Sequence, residues 1–295
     1  MTSHRTTARG TLLLVLSLLI LAAGAAAAPP AKIIFPVLGQ ATYTDDFGEP
    51  RAGGAHQGID IVAPKRNLVL AAEAGKVEFW TTSASAGCML YLHGASGTTY
   101  YYIHLNNDLT PKNDNRGKCL AGTSYAKGLK NGAKVVAGQP VGYVGDSGDA
   151  NGGNAHLHFE LHPGGKGAVD PYAWLQRGQH LLFAAPRGTP FTLELRGTVA
   201  AVSVDSIQVR ANSVGAWPMR QRQLNLRRRL LVLVPESATV QTCSKPGGPG
   251  TPATLASAKV GQQVVLWTSP APTTLKAQRG DDLSLTAALV SLIAG

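Results

Sequence analysis

The chain has 295 residues and a formal net charge of +10, with 44% hydrophobic and only 15% charged residues. Domains run to roughly 100–200 residues, so one large or two modest domains are expected, and this composition excludes an intrinsically disordered chain. The positive charge favours anionic partners, but no arginine–aromatic interleaving or nucleic-acid motif accompanies it, which argues against nucleic acid.

The first residues read as an export signal. Arg5 and Arg9 precede an uncharged apolar core from Leu12 to Ala23, and the small residues Ala25 to Ala28 follow. Proline is a poor first mature residue, so cleavage after Ala26 or Ala27 is expected, giving a signal peptide over 1–27. The apolar core is shorter than the ~20 residues that cross a bilayer, which favours a cleaved signal over an anchor and leaves no stable membrane span in the mature protein. No cysteine follows the core, so a lipid anchor there is not expected. The expected location is secreted or periplasmic, at the cell envelope, with the charge lowered to +8 by loss of Arg5 and Arg9.

Beyond the signal, 34 glycines and 18 prolines interrupt short apolar runs, so the chain is expected to be mainly β. A first domain is expected over 32–180, with strands over Leu68–Ala72, Met89–His93, Thr98–Leu105, Lys134–Ala137, Val141–Val144 and Ala155–Leu161. The polar stretch from Asn106 to Asn131 is long for a loop in a compact domain, and such loops are usually functional or mobile. Ala185 to Pro190 reads as a linker. A small β-rich, barrel-like domain is expected over 188–280, with strands over Phe191–Val199, Ser206–Val209, Leu230–Val234 and Gln263–Trp267. The apolar tail over 281–295 is too short to span a membrane, and Leu285, Leu289 and Leu292 fit one face of a terminal helix. An exported chain can form disulfides, and Cys88 with Cys119 is the expected pair because both lie in the first domain, which leaves Cys243 unpaired.

Three segments carry chemistry. In His56-Gln57-Gly58-Ile59-Asp60, the glycine disfavours a helix, and on an extended chain His56 and Asp60 project to the same side. In Ala155-His156-Leu157-His158-Phe159-Glu160-Leu161-His162 the alternation is strict. One face carries three imidazoles and a carboxylate, the other Leu157, Phe159 and Leu161. The third segment, Thr98 to Leu105, ends in His104, on the same face as Tyr100 and Tyr102 if the alternation holds. Asp170-Pro171-Tyr172 reads as a structural stop, and His93, His162 and His180 as hydrogen-bonded structural residues. Imidazole nitrogen and carboxylate oxygen suit zinc, whose catalytic sites keep three protein ligands and leave the fourth position to water. The remaining histidines are then placed to move protons and to stabilise a developing oxyanion.

These residues resemble the LytM/lysostaphin-type zinc peptidases, peptidase family M23. The resemblance covers about half the chain, from Phe47 to Trp174. It runs through Phe47-Gly48-x-x-Arg51, His56-x-Gly58-x-Asp60-Ile61-x-Ala63-Pro64, Ala71-Ala72-x-x-Gly75-x-Val77 and Tyr102-Ile103-His104-Leu105. It continues through Val136 to Gly142, Gly145-Asp146-Ser147-Gly148 and His156-Leu157-His158-Phe159-Glu160. The resemblance implies His56, Asp60 and His158 as the zinc ligands and His104 and His156 as the catalytic histidines, without saying which of the two is the base. It implies a mainly antiparallel β-sheet domain and a peptidoglycan endopeptidase acting on stems or cross-bridges. Three departures stand out. Lys65-Arg66-Asn67 replaces the usual Gly-Thr-Pro, Ala155 stands where proline is common, and the Asn106–Asn131 loop is long. None falls on an implied ligand, although loops of this kind line the groove and bear on which bond is cut.

Arg220, Arg222, Arg227, Arg228 and Arg229 concentrate positive charge in the second domain. They read either as a surface for anionic cell-wall polymers or as a solvated face of a small β domain. Two other functions use the same features. A non-catalytic binding protein on this fold typically lacks one or more ligands, and this chain has them all. A peptidase acting on a glycine-rich protein would be told apart by its substrate.

Overall fold

A computed structural model describes residues 29–30, 32–184, 190–272 and 285–294. The expected signal peptide and most of the expected linker lie outside the described residues. The first half begins with β1 (Pro50–Arg51), β2 (Gly54–Ala55), β3 (Ile59–Val62), β4 (Leu68–Leu70) and β5 (Gly75–Ser83). It continues with β6 (Gly87–Gly94), β7 (Thr98–Leu105), β8 (Lys134–Val135), β9 (Pro140–Tyr143), β10 (His156–Pro163) and a short helix α1 (Tyr172–Arg177). Six of these strands form one antiparallel sheet in the order β3-β10-β7-β6-β5-β8, while β4 pairs with β9 and β1 with β2. The expected strands are present, and Asp170-Pro171-Tyr172, read as a stop, starts the helix, with the Asp170 carboxylate accepting the Tyr172 amide.

Alternation decides which face of this sheet is core. Leu157, Phe159 and Leu161 on β10, Tyr100 and Tyr102 on β7 and Leu90 and Leu92 on β6 are all fully buried on one side. Each such side chain taken from water contributes about 1.5–3 kcal/mol, so this face fixes the register of every strand in the sheet. The opposite face is therefore set by default, and it carries the histidines.

His104 breaks the alternation. By period two it would join Tyr100 and Tyr102 on the core side. Instead the β6–β7 register shifts between Cys88 and Leu90, so that Ile103 and His104 together oppose Met89. His104 adopts a left-handed backbone, φ 61°. This bulge turns the imidazole out of the core and onto the open face.

The second half comprises β11 (Pro190–Val202), β12 (Ser206–Trp217), β13 (Gln221–Leu233), β14 (Thr239–Cys243), β15 (Gly250–Pro252), β16 (Gln263–Thr268), β17 (Ala271–Pro272) and β18 (Leu285–Ile293). Its main sheet runs β13-β12-β11-β16-β18-β14-β15, with β17 beside β11. A two-residue parallel pairing brings Val232 and Leu233 of β13 back against Leu285 and Thr286 of β18. The strands thus curl into a ring-like path joined by a short seam. The expected terminal helix is corrected here: β18 is a strand, pairing with β16 on one side and β14 on the other. Periodicity alone does not separate helix from strand in a short apolar run. Here two neighbouring strands supply partners for its backbone, and Leu285, Ala287, Val290 and Leu292 reach the core.

The two halves have separate main cores, one gathered around β10 and β7, the other around β11 and β12. The segment between them is bound to the second half. The Ala184 amide donates to Gln221, whose own amide donates to the Ala184 carbonyl, and the Gln223 amide donates to the carbonyls of Leu181 and Leu182.

Cys88 and Cys119 form a disulfide, and Cys243 is free and buried. The bridge pins the long loop to β6. A second anchor is Asp108, fully buried, which accepts the amides of Asp114 and Asn115 at 2.7 Å each and pairs with Lys65 at 2.7 Å. Arg66 donates to the carbonyls of Asp108 and Leu109. The departure at Lys65-Arg66 thus has a structural use, since both side chains hold the loop that is itself the other departure. Asn113 and Asn115 then reach across to the Asn151 side chain, at the rim of the open face.

Candidate metal centre

Three side chains converge on one point of the open face. His56 Nε2 lies 2.9 Å from His158 Nδ1 and 3.2 Å from Asp60 Oδ1, and the last two atoms are 3.0 Å apart. For ligand bonds of about 2.0–2.1 Å, the edge of a tetrahedron is roughly 3.3 Å, so the triangle has the size of one face of a tetrahedral metal site. Among the described residues these three form the one group of such side chains able to hold a metal ion.

The hydrogen bonds behind the triangle favour the same assignment. His56 Nδ1 donates to the Asp46 carbonyl at 2.8 Å, which leaves the Nε2 lone pair pointing into the site. His158 Nε2 donates to Glu160 at 2.8 Å, which leaves Nδ1 free to ligate. Both rings are held by their far nitrogens, as metal-binding imidazoles generally are. Glu160 is steadied in turn by His162, 2.5 Å from its second oxygen. His162 therefore belongs to the support of the site as well as being the hydrogen-bonded structural residue expected.

The local chain geometry makes this convergence possible. Asp60 sits on β3 and His158 directly opposite it on β10. His56 precedes β3, with its amide bound to the Glu49 carbonyl. Gly58 lies between the two ligands, and a Cβ there would stand 2.5 Å from the Phe159 carbonyl oxygen and 2.8 Å from His158 Nε2. Any larger residue would push β3 off β10 and separate the ligands.

The electrostatics follow from burial and proximity. Burial opposes ionisation of Asp60, but the hydrogen bond to His158 and the imidazoles around it outweigh that and hold its carboxyl far below the usual range. Burial likewise disfavours the charged form of His158, yet the carboxylates of Asp60 and Glu160 on its two sides push it up to about 9. Glu160 is held low by His158 and His162 against the same desolvation.

His104 and His156 flank the triangle, with ring centroids 5.0 Å apart. Each ties Nδ1 to a backbone carbonyl, His104 to Ser147 at 2.8 Å and His156 to Asn154 at 2.9 Å, so each presents Nε2 to the cleft. His156 Nε2 is 3.6 Å from Asp60 Oδ1, and His104 Nε2 is 3.6 Å from the exposed carboxylate of Asp149. Burial, with the neighbouring His156, lowers His104 to about 4, so its ring is neutral at pH 7. The turn supporting it needs Gly148, with φ +77°, where a Cβ would meet the Ser85 carbonyl oxygen at 2.0 Å.

The five implied ligands and catalytic residues, His56, Asp60, His104, His156 and His158, thus meet in one cleft, whose other walls include Arg51, Gly54, Ser85 and Asp149. The supporting role of Asp46 gave no sequence signal. Arg51, part of a motif but given no role, pairs with Asp46 at 3.0 Å and approaches Asp60 at 3.4 Å. Glu160 lay in plain view on the histidine face. Glu160→Gln keeps the shape but removes the charge that orients His158. It is expected to weaken metal binding about 10–100-fold in a competitive chelator titration; wild-type affinity would mean that His158 is oriented without it.

The chain is similar in part to known proteins. Residues 54–118 match the model of peptidase family M23, a segment containing His56, Asp60 and His104. The L-Ala–D-Glu endopeptidase of Bacillus subtilis is 28% identical over 152 residues, 48% of this chain and 41% of that protein, so the chain spans less than half the length of this relative. Among solved structures, the catalytic domain of lysostaphin from Staphylococcus simulans is 23% identical, with TM-score 0.34 over 49% of this chain and 92% of that one. A zinc-containing peptidase from Vibrio cholerae is 24% identical, with TM-score 0.35 over 48% and 39% of the two chains.

Proposed function

We propose that this chain, which carries a peptidase family M23 domain, is an exported zinc metalloendopeptidase that hydrolyses peptide bonds in peptidoglycan stems or cross-bridges. The observation that carries the reading is the triangle of His56, Asp60 and His158, flanked by two imidazoles whose Nε2 atoms face the same cleft. Two imidazoles and one carboxylate fit zinc, and His56, Asp60 and His158 would hold it. A zinc ion held there supplies Lewis acidity that brings the pKa of water from ~15.7 to about 7.

The chain's own residues do the rest. Asp46 and Glu160 fix the two ligand rings, so the site is rigid before substrate arrives. His104, neutral at pH 7 with its Nδ1 hydrogen on the Ser147 carbonyl, presents a bare Nε2 that can accept a proton, and His156 presents its own Nε2 from the other side. One takes the proton released as water attacks the scissile carbonyl and passes it to the departing amine; the other, when protonated at Nε2, donates to the oxygen that gains charge. The Asn106–Asn131 loop, fastened by the disulfide and Asp108, reaches Asn151 beside the cleft through Asn113 and Asn115, and from there it bears on which bond fits.

The relative that cleaves an L-Ala–D-Glu bond supports a wall peptide as substrate. Export in the signal over 1–27, and anionic wall polymers against the exposed Arg222, Arg227 and Arg229 of β13, complete the proposal. Metal removal tests it. Treatment with a chelator is expected to abolish release of free amines from purified peptidoglycan, and one equivalent of zinc to restore it. Activity that survives chelation would contradict the reading, and cleavage of a glycine-rich protein but no wall would move the substrate elsewhere.

A further inference from the structure

The open face of the first sheet continues past the metal centre, and three aromatic rings line it. On β10, β7, β6 and β5 the residues Glu160, Tyr101, Tyr91 and Glu78 stand in register, one per strand, all on the cleft side. Tyr101 stacks on His162 at 3.9 Å, Tyr91 meets Tyr101 edge-on at 4.5 Å, and Trp80 lies 5.8 Å from Tyr91. The core has no use for these rings, since the opposite face is already filled by Tyr100, Tyr102 and Phe159. Trp80 is 41% exposed, a costly position for a large ring with nothing packed over it among the described residues. Beside the row, Glu78 and His93 pair at 2.8 Å with both side chains about half exposed, offering hydrogen-bonding groups at the edge of the rings.

Planar rings bordered by an acid and an imidazole suit a ligand with apolar C–H faces and a rim of hydroxyls. We infer that Tyr101, Tyr91 and Trp80 form a saccharide subsite that seats a pyranose ring of the glycan carrying the peptide. The inference rests on the peptidoglycan reading of the metal centre and adds the sugar to it. Reach supports it: strands lie about 4.8 Å apart, so the row extends roughly 14 Å from β10 to β5. A peptide of about four residues spans the same distance at ~3.3–3.6 Å each. A peptide cut at the metal centre can therefore keep its attached sugar on the row, and the row is continuous with the site through His162 and Glu160.

The test uses chitotetraose, an N-acetylglucosamine oligomer without peptide, titrated into the whole protein and followed by saturation-transfer NMR. Wild type is expected to bind, and Trp80→Ala and Tyr91→Ala each to bind about 3–10-fold more weakly, the scale of one aromatic contact. Trp80→Phe, which keeps a ring, is expected to recover most of the affinity and so separates ring loss from misfolding. No saturation transfer in wild type, or equal binding by both alanine variants, overturns the inference. Loss of self-association in Trp80→Ala without sugar binding would overturn it too, assigning the row to a second copy of the chain. Sugar binding needs no metal, so its persistence in a protein that cleaves no wall peptide would remove the peptidase reading and leave the sugar site; wall cleavage without sugar binding would do the reverse.

Discussion

His158→Ala is expected to lose both bound zinc and peptide cleavage, the latter by roughly a thousandfold or more, because water left without the metal returns to a pKa of ~15.7. His158 Nδ1 is 3.0 Å or less from the ligand atoms of both His56 and Asp60, so its removal leaves one imidazole and one carboxylate, too few to hold the ion. The substitution also strips Glu160 of one of its two imidazole partners in a buried setting. A cost of about 1–3 kcal/mol in stability is expected from the unsatisfied oxygen. Zinc analysis of the purified variant, a thermal melt and an amine-release assay separate these effects. A folded variant that still binds zinc stoichiometrically would show that the triangle is not the metal site.

His104→Ala and His156→Ala should behave differently, each keeping the metal and each losing activity by roughly 10²–10⁴-fold. Neither ring supplies an atom to the ligand triangle, and each is held by a backbone carbonyl rather than by a ligand. The pH profile distinguishes their parts. With His104 lowered to about 4, its ring is unprotonated across pH 5–8, so any acidic limb of kcat/KM above pH 5 belongs to another group. That limb should persist in whatever activity His104→Ala retains. Its disappearance would mean that His104 titrates higher than its buried position implies. Equal loss of zinc in these variants would instead make them ligands.

Much of this centre is visible in the sequence because a strand with one face on a core writes its pattern plainly. From His156 to His162 the alternation separates cleft from core without exception, and the fully buried Leu157, Phe159 and Leu161 account for it. His104 is different. Its residue type pointed to the site, but the period-two pattern placed it on the wrong side, and only the bulge opposite Met89 corrects this. Positive φ at a non-glycine residue leaves no mark on composition. Asp46 was equally hidden, because it lies outside the three chemistry-bearing segments and supports them from behind, its carbonyl accepting from His56 and its carboxylate from Arg51 and the Asp60 amide. In the second half, the arginine-rich stretch was legible as charge but not as the thirteen-residue strand β13, since its backbone is held by β12 rather than by its own pattern. The terminal strand was misread for a related reason, as its neighbours β14 and β16 lie distant in sequence. Long-range pairing decides such segments, and local periodicity does not record it.

The most direct test of the central claim is the chemistry of the products. Purified peptidoglycan would be incubated with the zinc-loaded protein and, in parallel, with His158→Ala, and the soluble fragments identified by mass spectrometry with free amines and reducing sugar ends counted. The account predicts new free amines from a single class of peptide bond, no new reducing ends, and neither product from His158→Ala. Reducing ends in place of amines, or fragments released equally by His158→Ala, would contradict a metal-dependent peptidase centred on His56, Asp60 and His158.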